Sequence, residues 1–457
     1  MVADVNAPAV TENVSPLHCV AACAQTLTWL ANTQQSCWLV AVSAAEHYSS
    51  GIAGDSPSSR SIVIMHSESY HLIIAPIVLL LLANTAGAAA PSVSAPAISF
   101  MRIPDGGIQP QAVVDSDGTT HLIYFKGEPA AGDIFYVRRR TGEQRFSEPV
   151  QVNNHPGSAI AMGTIRGAQL AVGKGGRVHV AWNGSAKAQP RAPKATQDTP
   201  MLYTRLDDGG EAFEPQRNLI GEAFGLDGGG SIAADDQGNV YVAWHANPAG
   251  DGEANRLVYL ARSTDEGESF APEVPVSKPG TGVCGCCGIK AWADTDGRLL
   301  LLYRSATDVL NRDIYLLTSY DGGQTFDSQM VDQWNVATCP MSSAAFAEGP
   351  DRLVAGWETA GQVFFSQVGK DGPSSRPVPP ASTRAVQKHP AAAINDRGEA
   401  IFVWTEGTGW SRGGSVAWRI YDAQGRPVGR PDDRKGIPVW SFAAVFAGPG
   451  GGFTIVY

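Results

Sequence analysis

The chain has 457 residues, 43% of them hydrophobic, with 51 Gly, 30 Pro, a formal net charge of −10 and a pI near 5.4. That length is ample for a large core, and the glycine and proline load suits many tight turns rather than long helices. The acidic balance, with no basic patch, excludes nucleic acid as an expected partner.

Residues 1–64 show no sustained periodicity and no repeat unit, and read as an unstructured leader or a mis-called start. Leu72 to Ala83 is an apolar run of signal-peptide length, preceded by Met65 and followed by the small residues Ala86, Gly87 and Ala88 before Ala89. Residues 65–90 therefore read as a signal peptide with translation starting at Met65, although Met65 to His71 lacks the usual Lys or Arg. The alternative is a membrane anchor through residues 72–90. The expectation is an exported protein, periplasmic or extracellular, with residues 91–457 as a single monomeric domain, touching a membrane only if that segment stays uncleaved. The cysteines agree. Cys19, Cys23 and Cys37 precede Met65, leaving Cys284, Cys286, Cys287 and Cys339, an even number as disulfide pairing requires.

From residue 110 a repeat with a period near fifty residues begins. A short apolar strand, a turn with Asp, Asn or Gly, and a second apolar strand form a hairpin, as in Gln111–Val114, Asp115–Gly118 and His121–Tyr124. Seven hairpins end on an aromatic six positions after a turn residue. The pairs are Gly118/Tyr124, Gly176/Trp182, Gly238/Trp244, Gly297/Tyr303, Asp351/Trp357, Gly398/Trp404 and Gly451/Tyr457. A large aromatic recurring in every unit is expected to wedge between sheets. A third strand and another turn follow, clearest in Ser263–Phe270 and Ser319–Phe326. There Asp265 and Asp321 are expected to accept backbone N–H bonds, Gly267 and Gly323 to supply positive φ, and Phe270 and Phe326 to pack back onto the sheet. Such repetition of one small sheet predicts an all-β propeller.

These turns resemble the Asp-box, or BNR repeat, of the sialidase superfamily, and the resemblance covers roughly residues 95–457. It implies a propeller in which the boxes lie on the outer rim, opposite any active site. Sialidases resemble this chain but have six blades, whereas seven hairpins predict seven here, with six as the alternative. The segment Ala97–Ile103 stands in the place of a fourth strand and is expected to complete the seventh blade. The pattern Cys284–Cys287, Tyr303-Arg304, Arg312–Tyr315, Trp334 and Cys339-Pro340 also resembles a group of uncharacterised bacterial exported Asp-box proteins, which implies fold and export only.

A ligand belongs on the face opposite the boxes, at the mouth of the central channel. Cys284, Cys286 and Cys287 open the fourth unit and Cys339 the fifth, so the two segments should meet there. Three readings stay open: disulfides among the four, a Cu or Zn site with His389 or Met341, and a redox-active thiol pair. His155, His245 and His389 are ligand-binding candidates near the same mouth, together with Arg304. Sialidase chemistry, as the resemblance implies it, needs three arginines gripping a carboxylate, an Asp acid/base and a Tyr activated by a Glu. The candidates are Arg166, Arg304, Arg412, Asp308 and Glu358, with no spacing that ties them together. The functional expectation is a propeller binding a glycan, peptide, protein partner or metal at the mouth; the alternative is an exo-sialidase-type glycoside hydrolase.

Overall fold

The computed structural model describes residues 95–457, apart from residues 195, 251, 308–310, 336–339, 371, 374–377 and 382–384. The expectations for residues 1–64 and 65–90, and those for Asp308 and Cys339, fall outside the described residues. Among the described residues there is no α-helix, and no helix is long and apolar enough to cross a membrane.

The strands form seven separate sheets, six of them four-stranded up-and-down meanders, making a seven-bladed β-propeller. Their innermost strands are Ile108–Val114, Gln169–Val172, Ser231–Ala234, Lys290–Ala293, Ala345–Glu348, Gln387–Ile394 and Ala444–Ala447 for blades one to seven. Each packs beside the next and the seventh returns to the first. They enclose a channel of about 1150 Å³, about half of whose lining residues are Gly, Ala, Val or Ile. Small side chains are needed because seven strands converge on one axis.

The seven expected wedges are all buried: Tyr124, Trp182, Trp244, Tyr303, Trp357, Trp404 and Tyr457 are each 4% exposed or less. The Ser-x-Asp-x-Gly turns also behave as read. Asp265 accepts the Ser269 N–H at 2.9 Å and hydroxyls from Ser263 and Ser269 at 2.6 and 2.5 Å. Gly267 has φ +78°, and a Cβ there would meet the Tyr203 hydroxyl of the preceding blade at 1.8 Å. Phe270 meets the ring of that same Tyr203 edge-on at 4.8 Å. Asp321 repeats the pattern with Ser319 and Thr325. These turns lie at the channel end carrying the Asp115, Asp235 and Asp294 hairpin turns, so they stitch blade to blade away from the mouth.

One placement differs from expectation. Ile98–Met101 does enter the seventh blade, but as the third strand and not the fourth. It pairs in parallel with Phe453–Val456, Ile98 opposite Phe453 and Met101 opposite Val456, in a three-stranded sheet. The hairpin pattern predicts antiparallel neighbours, and a strand arriving from the other end of the chain is free of that rule.

Candidate functional site

The mouth is marked first by its backbone. Gln109, Thr164, Met341, His389 and Trp440 have φ between +50° and +60°. All five stand at or just before the inner strand of a blade, in blades one, two, five, six and seven. A left-handed non-glycine residue costs on the order of 1–3 kcal/mol and persists only where its surroundings hold it. Here the surroundings are visible. Two serines at these entries each accept an N–H from a left-handed residue of a neighbouring blade, Ser342 from His389 and Ser441 from Gln109, both at 3.0 Å, and Ser231 of blade three accepts that of Ala291 in the same way at 2.9 Å. The Gln109 amide adds donations to Ala161 O and Trp440 O. Strain repeated at one level of the ring is fixed geometry at the channel entrance.

Beside this ring lies a small pocket whose walls include Thr164, Met341, Lys388, Trp410, Arg412 and Trp440. Trp410 sits on a tight turn closed by Gly409 and Arg412, and is 57% exposed. Gly163 backs it: a Cβ there would meet Arg166 Nη1 at 3.3 Å and the Trp410 ring at 3.4 Å. Trp440 Nε1 is buried without a hydrogen-bond partner. Neither Lys388 nor Arg412 makes an ion pair with a described carboxylate within 4 Å. Burial is the main cause pulling the Lys388 ammonium down, opposed by the Glu358 and Cys287 charges and reinforced by Arg412. The pocket thus presents two cations without a close ion-pair partner among the described residues, an unsatisfied indole N–H and an open aromatic face.

Behind the pocket Arg304 and Glu358 meet. Arg304, at the end of Leu299–Arg304, donates to Arg312 O at 2.8 Å and to the Glu358 backbone carbonyl, and its Nη2 stands 3.5 Å from Glu358 Oε2. Its guanidinium lies over the Trp334 ring at 4.5 Å. Glu358 is 1% exposed and accepts the Gly361 N–H. Burial pushes its carboxyl from the usual 4.5 up to about 7, against the pull of Arg304 and the Gly361 N–H. A carboxyl that titrates near neutrality can hold or release a proton at physiological pH.

The cysteine loop packs against the same arginine. Cys284 Sγ lies 3.4 Å from Cys286 Sγ and 3.6 Å from Cys287 Sγ, and all three sulfurs fall within 4.8 Å of one another. Cys284 and Cys287 are free thiols, whereas Cys286 is disulfide-bonded. Burial opposes a Cys287 thiolate, but the Cys284 S–H, the Arg304 charge and the backbone N–H groups of Ser342 and Met341 outweigh it, holding the thiol down at about 6. Cys284, which donates, is pushed up. The loop is tied down by Glu253, which accepts the Gly285 N–H at 2.9 Å and pairs with Arg312 at 2.7 Å. As a metal site the cluster fits poorly, because a disulfide sulfur is no thiolate donor. Among the described residues two thiols remain, short of the four ligands of a structural zinc site.

No protein-family model matches the chain, and no curated protein matches it. Solved structures similar to it include a Hadza microbial sialidase, 14% identical over 70% of this chain and 69% of that one, with a TM-score of 0.43. An α-L-arabinanase of Penicillium chrysogenum complexed with arabinobiose is 15% identical over 70% and 95%, TM-score 0.46. The Trypanosoma rangeli sialidase in complex with the inhibitor DANA is 10% identical over 66% and 53%, TM-score 0.45. The seven-blade assignment rests on the strand pairing of this chain itself.

The structure brings some expected residues together and separates others. Arg304, Glu358 and Cys287 form one cluster, with Arg412 and His389 at its pocket. His389 is buried, 3.3 Å from Ser343 Oγ and against the Phe442 ring; burial lowers its imidazole to about 3, so it stays neutral. His245 is not at the mouth surface. It is fully buried and accepts the Gly228 N–H at 2.9 Å, again held neutral by burial. His155 is exposed beside Asn153 and Gln216, near the outer strands and away from the cysteines. Arg166 is committed to Asp227 at 2.7 Å, and Arg304 to buried partners, so the three arginines do not share one open face. The tyrosine hydroxyls of Tyr136, Tyr203, Tyr241 and Tyr303 meet His121, His179, Asp235 and Thr281, none of them a glutamate. Sequence reasoning missed Lys388, Trp410 and Trp440. The one signal available was Thr408-Gly-Trp-Ser-Arg412, a turn sequence that puts an aromatic where no strand needs one.

Proposed function

We propose that this is an exported propeller whose channel mouth binds an anionic glycan. The carrying observation is the pair Lys388 and Arg412, neither in an ion pair with a described carboxylate, beside the open face of Trp410 and the unpartnered Trp440 Nε1. An indole face receives the C–H face of a sugar ring, and two cations with an N–H donor receive a carboxylate or sulfate. Monomeric action suits this reading, since one ring holds the whole pocket. The test is calorimetric titration of the purified protein with uronate-containing, sulfated and neutral oligosaccharides. Anionic ligands should bind, binding should weaken with salt, and Trp410→Ala and Lys388→Ala should each lower affinity about tenfold or more, the loss of roughly 1.4 kcal/mol. Equal affinity for neutral and charged sugars, or unchanged affinity in both variants, overturns the proposal. Export is checked by the mass of the protein recovered outside the cytoplasm. A mature chain that still carries residues 1–64 refutes the Met65 start.

Glu358 supports a second reading, glycoside hydrolysis with this carboxyl as general acid, because its proton persists to about pH 7. Release of the aglycone from aryl glycosides of anionic sugars, abolished in Glu358→Gln, is the expected result. No release by the wild-type protein removes that reading and leaves binding.

A further inference from the structure

The central channel holds a charge that the mouth pocket does not use. Its seven inner strands carry three residues charged at neutral pH: Lys290, Glu348 and Lys388. Lys388 stands at the mouth, and Glu348 accepts the Trp292 Nε1–H and the Thr295 N–H, each at 3.0 Å. Lys290 is left inside the channel with one neutral partner. Its Nζ reaches from blade four past blade three and donates to Gln169 Oε1 of blade two at 3.1 Å. Burial pulls this ammonium down to about 8, and no neighbouring charge opposes or reinforces that pull.

The channel is lopsided at this level. Lys290, Gln169 and Gln111 each pair with the residue just before the wedge of their blade, Leu302, Ala181 and Ile123, so the three share one level. Ser231 holds that level in blade three, and Ala345, Ala391 and Ala444 hold it in blades five to seven. One side of the ring is therefore polar and the other is alanine, which leaves space beside the ammonium. An ammonium only donates, so it fixes the Gln169 amide with Oε1 toward itself and Nε2 presented elsewhere as a donor. Nearer the mouth the backbones close in: a Cβ on Gly229 would stand 1.8 Å from Ile165 O, and one on Gly288 3.4 Å from Ser343 Cα. That narrowing limits what enters from the mouth to something small. At the other end the channel is lined by Asp115, Asp235 and Asp294, so Lys290 is where it attracts an anion.

We propose that Lys290 and the Gln169 amide bind a small oxyanion, of the phosphate or carboxylate class, inside the channel. The anion supplies the counter-charge that this level of the ring lacks, and its oxygens accept from the ammonium and from Gln169 Nε2. Gln111, at the same level, lines the space it occupies. A charge-assisted hydrogen bond is stronger in such surroundings than at an open surface. The site is separate from the pair Lys388 and Arg412 at the mouth.

The experiment is calorimetric titration of the full purified chain with inorganic phosphate and with acetate, at constant ionic strength. At least one of the two should bind saturably, one per chain, in the wild type and in Lys388→Ala alike. Lys290→Met should weaken that binding about tenfold or more and Gln169→Leu roughly threefold, as expected for losing a charged and a neutral donor. Near-ultraviolet circular dichroism matching the wild type shows that each variant keeps its fold. No saturable binding of either anion by the wild-type protein overturns the proposal without reference to any variant. Binding that survives in Lys290→Met and disappears in Lys388→Ala puts the anion at the mouth and overturns it too. The mouth reading is tested with oligosaccharides, so the two can fail separately.

Discussion

Glu358→Gln tests the electrostatics of the mouth. The carboxyl titrates near 7 in the folded protein and near 4.5 when exposed, because burial disfavours its charged form. Between those values the folded state holds a proton that the unfolded state has released. Stability therefore falls as pH rises from 4.5 to 7 and is level above it, the reverse of a salt-bridged carboxylate with a depressed pKa. At 1.36 kcal/mol per pH unit the loss is about 3 kcal/mol. Glutamine mimics the protonated form and can keep accepting the Gly361 N–H through its carbonyl oxygen. Urea unfolding of both proteins should give similar stabilities near pH 4.5. The variant should gain on the wild type by about 3 kcal/mol by pH 8, with most of the change between pH 5 and 7. Taking the difference between the two proteins cancels the titration of groups that do not feel the Glu358 charge, while Cys287 and Lys388, which do, add a smaller contribution. A difference that stays flat across that range, or that grows as pH falls, refutes the assignment of Glu358 as a carboxyl kept neutral by its surroundings.

Trp404 lies six residues before Trp410 and has the opposite role: it is fully buried, with its Nε1 donating to Glu406 at 2.9 Å. Trp404→Ala should cost about 3–5 kcal/mol in urea unfolding, while Trp410→Ala should leave the urea midpoint within error and act on ligand affinity alone. Asp265→Asn should accelerate amide hydrogen exchange at Gly267 and Ser269, whose N–H groups the turn holds, and leave mouth binding unchanged; altered affinity there would give the turn a role beyond stitching blades.

The blades were legible in the sequence because their signal is local and repeated. A wedge such as Trp244 recurs at a fixed distance from a turn glycine, and Asp265 needs only the hydroxyls and amides of its own eight-residue turn. The grouping of Arg304 with Glu358 was only partly legible: both were candidates, but nothing in their spacing shows that one blade's arginine reaches the next blade's carboxylate. Lys388, Trp410 and Trp440 carry no periodicity. Their meaning comes from the absence of a partner, a property of the assembled ring and not of any segment. The third-strand position of Ile98–Met101 was hidden for a related reason, since its partner lies at the opposite end of the chain.

That pairing has a consequence for how the molecule is made. Ile98 is among the first propeller residues synthesised and Phe453 among the last. Contacts between such distant residues are slow to form and reward the chain late. Six blades can meander into place as they emerge, yet the first strand waits unpartnered until the final hairpin exists. Before then the nascent ring is a crescent, and the mouth pocket, assembled from blades two, five, six and seven, does not exist. A ligand bound at the mouth, as proposed above, would therefore report that the ring has closed.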